Sequence, residues 1–197
     1  RILHNLCTDV WTYISLAFFK QIPQPGATGS STMPHKINPI RFENAESNLE
    51  LSNALLDSLS ATLVTSRMQR DLTDSSSQRN IGVAIGHSLL AIDNATRGLG
   101  EIELNKSVLD ADLSENWEVL GEAIQTVIRA EVAAGRSSIS DPYQLLKELT
   151  RGKRIGHDEL VTFVNGLDIS DEAKDRLLAL KPHNYTGIAA ELAKTFI

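Results

Sequence analysis

Between Gly29 and Pro39 the chain packs two adjacent serine hydroxyls, Ser30 and Ser31, an imidazole, His35, an ammonium, Lys36, and an amide, Asn38. Lysine supplies a point charge and asparagine a directional donor, the pair of groups that holds carboxylates. A serine hydroxyl is too weak an acid to serve as a base unaided. It needs a cationic, donor-rich surrounding and exclusion of water, and Lys36 is the nearest cation. The preceding stretch, Pro23-Gln24-Pro25-Gly26-Ala27-Thr28, cannot be a helix or central strand, because prolines remove backbone donors and glycines loosen what remains. The segment from about 22 to 37 therefore reads as a mobile polar loop that brings reactive groups to a small anionic ligand. On spacing alone, the serines could equally be turn residues, Lys36 a solvated lysine and Asn38 a helix cap.

A second cluster joins Arg67, Arg70, Asp71, Asp74, Ser75, Ser76, Ser77, Gln78 and Arg79. Hydroxyls and arginines at a helix start, where backbone N–H groups are free, suit a phosphate. Taken alone, the cluster reads as a helical corner with ordinary caps and ion pairs. His4, His87, His157 and His183 show no ligand spacing, so no metal is expected. No lysine followed by serine or threonine stands at P-loop distance after Gly26 or Gly29.

These groups need elements to position them. Asn38-Pro39 reads as a cap and first-turn proline. From Ile40 to Leu72 there is neither proline nor glycine. Leu49, Leu56, Leu59 and Leu63 mark an apolar stripe, widened by Leu51, Leu55 and Val64, which predicts a helix of about 25 to 30 residues. Asp74-Ser75-Ser76-Ser77 opens a second long helix that Ile81, Ala84, Ile85, Leu89 and Ile92 carry towards Leu99. Gly82 and Gly86, four apart, predict close helix approach. Ile2, Leu3, Leu6, Val10, Tyr13, Ile14, Ala17 and Phe18 predict an N-terminal helix. After Asn105, stops are frequent and elements shorten. Asp141-Pro142 and Ser170-Asp171-Glu172 read as helix starts. Arg136-Ser137-Ser138-Ile139-Ser140 reads as a variable surface loop. Strand signals are nearly absent. The fold class is all-α, with residues 1–104 as part of a long-helix bundle and 105–197 as a smaller all-helical domain.

A hydrophobic content of 42% and a charged content of 22% are ordinary for a globular chain. The net charge of −6 argues against nucleic acid as a partner. No signal peptide is expected, and no run is apolar enough to read as a membrane span. The single cysteine, Cys7, reads as a buried structural thiol in a reducing, cytoplasmic setting.

The string from Gly29 to Asn38 resembles the GSSxMPxKxN loop of the fumarase/aspartase superfamily, and His35 before Lys36 is the form of its adenylosuccinate lyase family. Four further stretches are similar to bacterial members in order and spacing: Phe42 to Asn48, Ser66 to Ser75, Asn116 to Leu120, and Lys147 to Arg154. The resemblance covers essentially the whole chain. It implies a carbon–nitrogen lyase of purine nucleotide biosynthesis that releases fumarate by β-elimination from adenylosuccinate and from succinylaminoimidazole carboxamide ribotide. It implies Ser30 as the catalytic base, and Ser31, Lys36, Ile37 and Asn38 at the substrate with Asn44 nearby. It implies Arg70, Ser75, Ser76, Ser77, Gln78 and Arg79 at the phosphate and ribose. His35 is read as ordering loop or ligand, not as the acid. No cofactor is implied, and the assembly implied is a homotetramer with shared sites. Family members are longer, and this chain opens without methionine inside a helical pattern. It is therefore expected to be a C-terminal portion, inactive alone, with the acid histidine elsewhere. Argininosuccinate lyase and a non-catalytic helical assembly module are the alternatives.

Overall fold

Helix α1, Ile2–Ser15, stops before its apolar pattern does. Ala17 takes a left-handed conformation (φ 59°), and Phe18 N–H donates back to Tyr13 O at 2.8 Å, the Schellman way of ending a helix. Phe18 consequently leaves the helix and leads into strand β1, Phe19–Gln21. The computed structural model describes residues 1–23, 37–150 and 155–196. Ser30, Ser31, His35 and Lys36, and with them the body of the expected loop, lie outside the described residues.

The long helix is α2, Ile40–Leu63, 24 residues and slightly shorter than the pattern predicts. Its N-cap is Pro39, with no side-chain cap bond, so Asn38 sits one residue further out than expected. A turn of 3-10 helix, Met68–Arg70, leads to α3, Thr73–Gln78, and α4, Ile81–Gly100. The second predicted helix is thus two helices, broken at Arg79-Asn80. Asp74 to Ser77 do not cap its start: they lie within α3, and Leu72 takes the N-cap position.

Helices α2 and α4 run antiparallel, and small residues set their separation. Ala84, Ala91, Ala95 and Gly98 are the buried residues of α4. Phe42, Ala45 and Leu49 of α2 pack with Cys7 and Val10 of α1, and with Ala91 and Ala95, in one core. The glycine that requires close approach is Gly98, where a Cβ would come within 2.8 Å of Phe42 Cζ. Gly82 and Gly86 meet nothing within 4 Å, contrary to the expectation for them. The large residues Ile81, Val83, Ile85, Leu89, Leu90 and Ile92 stay exposed, as do Leu51, Leu56 and Leu63 of α2 and its C-cap Val64. Leu49 and Leu59 are buried within the chain.

Strand β2, Ile102–Leu104, pairs antiparallel with β1, Phe19 opposite Leu104 and Gln21 opposite Ile102. Buried Asn105 closes this short ribbon by donating Nδ2 to Ala17 O at 2.8 Å. Apart from it, the described elements are helical, so the class is all-α.

The chain divides into two compact units, Arg1–Lys106 and Ser107–Ile197. The second holds α5, Lys106–Glu115, α6, Gly121–Ala133, α7, Pro142–Thr150, α8, His157–Asn165, α9, Asp171–Leu178, and α10, Ala189–Lys194. Two predicted starts hold: Asp141 Oδ1 accepts from Gln144 N–H at 3.0 Å, and Ser170 Oγ accepts from Ala173 N–H at 3.3 Å. Leu120, Ile124, Ile128, Leu160, Val164 and Leu177 form its core. Glu131 is buried beside that core, its side chain 1% exposed. It accepts from Arg136 Nη2 at 2.6 Å and from Ser170 N–H at 3.1 Å. Residues 136–140 form a loop as predicted, but a pinned one, since Ser138 also bonds Asp168.

Candidate active site

The described site residues fall into two groups. Ile37 and Asn38 precede α2 directly, and Gln21 Nε2 of β1 donates to Ile37 O at 2.9 Å, tying the segment to the ribbon. Asn38 O accepts from Ile40 N–H at 2.8 Å. Asn44 lies one turn into α2, and its side chain is solvent-exposed. Asn48 Nδ2 donates to Asn44 O at 2.8 Å and to Asn44 Oδ1 at 3.0 Å. His87 Nδ1 of α4 stands 2.8 Å from Asn48 Oδ1. The family resemblance flagged Asn44 but gave no reason to connect it with His87, which is 43 positions on in the chain. Asn44 and Asn48 at i and i+4 are the only local hint.

The second group surrounds the far end of α2. Ser52, halfway along α2, donates to Ala84 O at 2.9 Å, so the start of α4 and everything leading into it lie beside the C-terminal half of α2. Arg67 grips Asp71 through Nε at 3.0 Å and Nη2 at 3.3 Å, and also reaches Thr73 Oγ1 at 3.0 Å. The Arg67 hydrogen bond, followed by those from Thr73, holds the Asp71 carboxyl far below the usual carboxylate range. Asp71 Oδ1 in turn accepts from Thr73 N–H at 3.0 Å. Arg67 is therefore committed to shaping the corner, whereas exposed Arg70 and Arg79 make no ion pair among the described residues. Ser75, Ser76 and Gln78 are exposed on α3, and Ser77 Oγ bonds back to Thr73 O at 3.1 Å.

The structure does not bring the two groups together. Among the described residues they lie towards opposite ends of α2, a helix roughly 36 Å long at 1.5 Å per residue over its 24 residues. A polar cleft of about 500 Å³ between α1 and α2 is lined by Arg1, His4, Asn5, Glu50, Asn53, Ala54 and Asp57, and among the described residues none of the expected site residues lines it.

The four described histidines stay apart: His4 against Glu50, His87 against Asn48, His157 against Trp117 and His183 near Asp110. Among the described residues, no group of His, Cys, Asp and Glu could hold a metal ion. Burial, and then the Glu46 charge, push the Cys7 thiol pKa up, as an inert structural cysteine requires. No helix of the described residues is long and apolar enough to cross a membrane.

Residues 1–51 of this all-α chain, which carry α1 and the first half of α2, match the family described as Lyase. Residues 66–186 match Adenylosuccinate lyase C-terminal, and the chain belongs to that family. It is 51% identical over 196 residues to the adenylosuccinate lyase of Legionella pneumophila (strain Corby), an alignment covering 100% of this chain and 42% of that protein. It is 50% identical over 188 residues to the adenylosuccinate lyase of Escherichia coli (strain K12), covering 95% of this chain and 40% of the relative. Identity to the Dictyostelium discoideum adenylosuccinate lyase is 48% over 190 residues, covering 95% and 40%. The chain thus spans about two fifths of the length of these relatives.

Proposed function

We propose that this chain is the C-terminal part of an adenylosuccinate lyase, a carbon–nitrogen lyase of the cytoplasm that converts adenylosuccinate to AMP and fumarate. The same site opens succinylaminoimidazole carboxamide ribotide. In the elimination a base removes the proton from the carbon beside a carboxylate. The C–N bond breaks as the C=C bond of fumarate forms, and an acid protonates the departing nitrogen. Ser30 is the base. Ser31, Lys36, Ile37 and Asn38 hold the succinyl carboxylates, so that charge building on the carboxylate in the transition state meets preorganised donors. Arg70, Arg79 and the hydroxyls and amide of Ser75, Ser76, Ser77 and Gln78 take the phosphate and ribose, and Asn44 adds a donor near the loop end of α2. Residues 1–104 then form part of the central helical bundle and residues 105–197 the C-terminal domain.

The observation that carries this reading is the separation of the two groups along α2. The described members of the two groups lie towards opposite ends of α2, which supports a site built from more than one chain. Copies then contribute opposite ends of their long helices to a shared site. The exposed apolar faces of α2 and α4 support that assembly, since isolated patches of this kind mark contacts, and we assign it as a homotetramer. The acid comes from residues outside this chain, and the chain alone is accordingly inactive.

Mixing tests the reading. In the complete protein, Asn38→Ala and Arg70→Ala each abolish lyase turnover. Co-expression of the two variants restores part of it, because some sites then draw both intact residues from different chains. If neither single variant loses turnover, the site assignment is wrong; if the mixture stays inactive, the shared site is wrong. Binding of AMP and fumarate by the complete protein separates the enzyme from a purely structural helical module.

A further inference from the structure

We propose that His87 and Asn48 are positioning residues that fix the side-chain amide of Asn44 so that its N–H donors face an anionic oxygen of the substrate. This rests on the proposed placement of Asn44 at the substrate.

The direction of the chain of hydrogen bonds follows from one atom. Asn44 O is a backbone carbonyl and can only accept. The Asn48 atom 2.8 Å from it is therefore the amide nitrogen, Nδ2. The second proton of that nitrogen goes to the Asn44 side-chain atom 3.0 Å away, which must then be Oδ1. Both donors of Asn48 are now spent on Asn44, and its Oδ1 is left to accept. The atom 2.8 Å from that oxygen is His87 Nδ1, so His87 carries a proton on Nδ1 and donates. The oxygen of the Asn44 amide is engaged, and its remaining group, Nδ2, is a donor of two protons. A site for carboxylate or phosphate needs that orientation, because a flipped amide would turn its oxygen towards the anion.

Burial gives the arrangement its rigidity. Asn48 and His87 are half-buried between α2 and α4 while Asn44 is exposed. Just beyond them, Ser52 Oγ donates to Ala84 O at 2.9 Å and meets Ser88 Oγ at 2.6 Å, so Ser88 is the donor of that second bond. Polar groups at 44, 48 and 52 thus form one satisfied row against α4, and a satisfied polar row has a single low-energy arrangement. With His87 absent, Asn48 loses the donor that holds its oxygen inward, and Asn44 is left with a partner free to turn its amide.

The test uses the complete protein with adenylosuccinate as substrate. Asparagine places a donor where histidine has Nδ1, and glutamine places it one atom further out. His87→Gln and His87→Phe should raise KM roughly five- to twentyfold, the weakening expected from losing a well-aimed bond to a charged group, with kcat changed far less. His87→Asn should recover most of the loss. In an Asn44→Ala background, His87→Gln should add nothing further. Inhibition by fumarate and by AMP, measured separately, shows which end of the substrate Asn44 serves, by which of the two weakens. If Asn44→Ala raises KM and neither His87→Gln nor His87→Phe does, or if His87→Asn is as poor as His87→Gln, the positioning proposal is overturned and the site reading stands. If Asn44→Ala leaves KM and both inhibition constants unchanged, the placement of Asn44 fails and the proposal with it. Should His87→Phe not assemble, the asparagine and glutamine pair decides alone.

Discussion

Gly98 lies against Phe42: a Cβ on Gly98 would stand 2.8 Å from Phe42 Cζ and 3.0 Å from Phe42 Cε2. This contact sets how closely α2 and α4 meet at the end that carries Asn38 and Asn44. Gly98→Ala should lower stability by about 1–3 kcal/mol through overpacking, against a gain of about 1 kcal/mol from helix propensity. Gly82→Ala and Gly86→Ala keep only that gain within the chain. Thermal melts of the three variants of the complete protein should rank Gly98→Ala lowest.

Ala17 is held at φ 59° to end α1 and turn into β1. A Cβ in the left-handed region costs roughly 1–2 kcal/mol. Ala17→Gly relieves it at some cost in unfolded-state entropy. A net gain of about 0.5–1 kcal/mol is expected, read as a higher urea midpoint at unchanged slope.

Glu131 ties the end of α6 to the start of α9. The Arg136 bonds first, and those from Ser170 next, lower its pKa from 4.5 to about 2. The folded value lies below the unfolded one, so the stability Glu131 contributes is fully present above about pH 4.5 and is lost as pH falls through about 2. Glu131→Gln should therefore melt well below the native protein at pH 7, and the gap should close as the pH approaches 2. A gap independent of pH would show that the charge is not what counts.

Ser30→Ala in the complete protein should lower kcat by roughly a hundred- to ten-thousandfold, the span for loss of a positioned proton acceptor. Substrate binding should persist, because the anion contacts remain. A variant that keeps most of its kcat removes Ser30 from the role and makes Ser31 the next residue to replace.

Leu89 is 62% exposed on the face of α4 turned away from α2. Leu89→Asp leaves the α2–α4 contact alone but places a carboxylate in the proposed contact between chains, at roughly 2 kcal/mol or more per copy. Sedimentation of the complete protein should shift from tetramer to smaller species. A native protein that sediments as a monomer ends the tetramer proposal. A variant that stays tetrameric moves the contact to another surface.

Several elements were determined by the sequence itself, because their causes are local. The absence of proline and glycine after Pro39 suffices for a long α2; Asp141 and Ser170 cap the helices that follow them; a lone cysteine in an apolar helix goes inside. The two reactive clusters were likewise visible as residue types at short spacing. What only the tertiary structure decided are choices between alternatives of similar local energy. Helix α4 has apolar residues around most of its circumference, and periodicity cannot select a face. Close approach to α2 selects the small one, Ala84, Ala91, Ala95 and Gly98, and leaves Ile85 and Leu89 outside. The pairing of Phe19–Gln21 with Ile102–Leu104 needs two segments about 80 residues apart, each too short to signal a strand alone. The bond from His87 to Asn48, 39 residues away, exists because α4 folds back along α2 in one register. The placing of Asn38 and Arg70 towards opposite ends of α2 was hidden for the same reason: spacing along a chain becomes distance in space only once the helix between them is known.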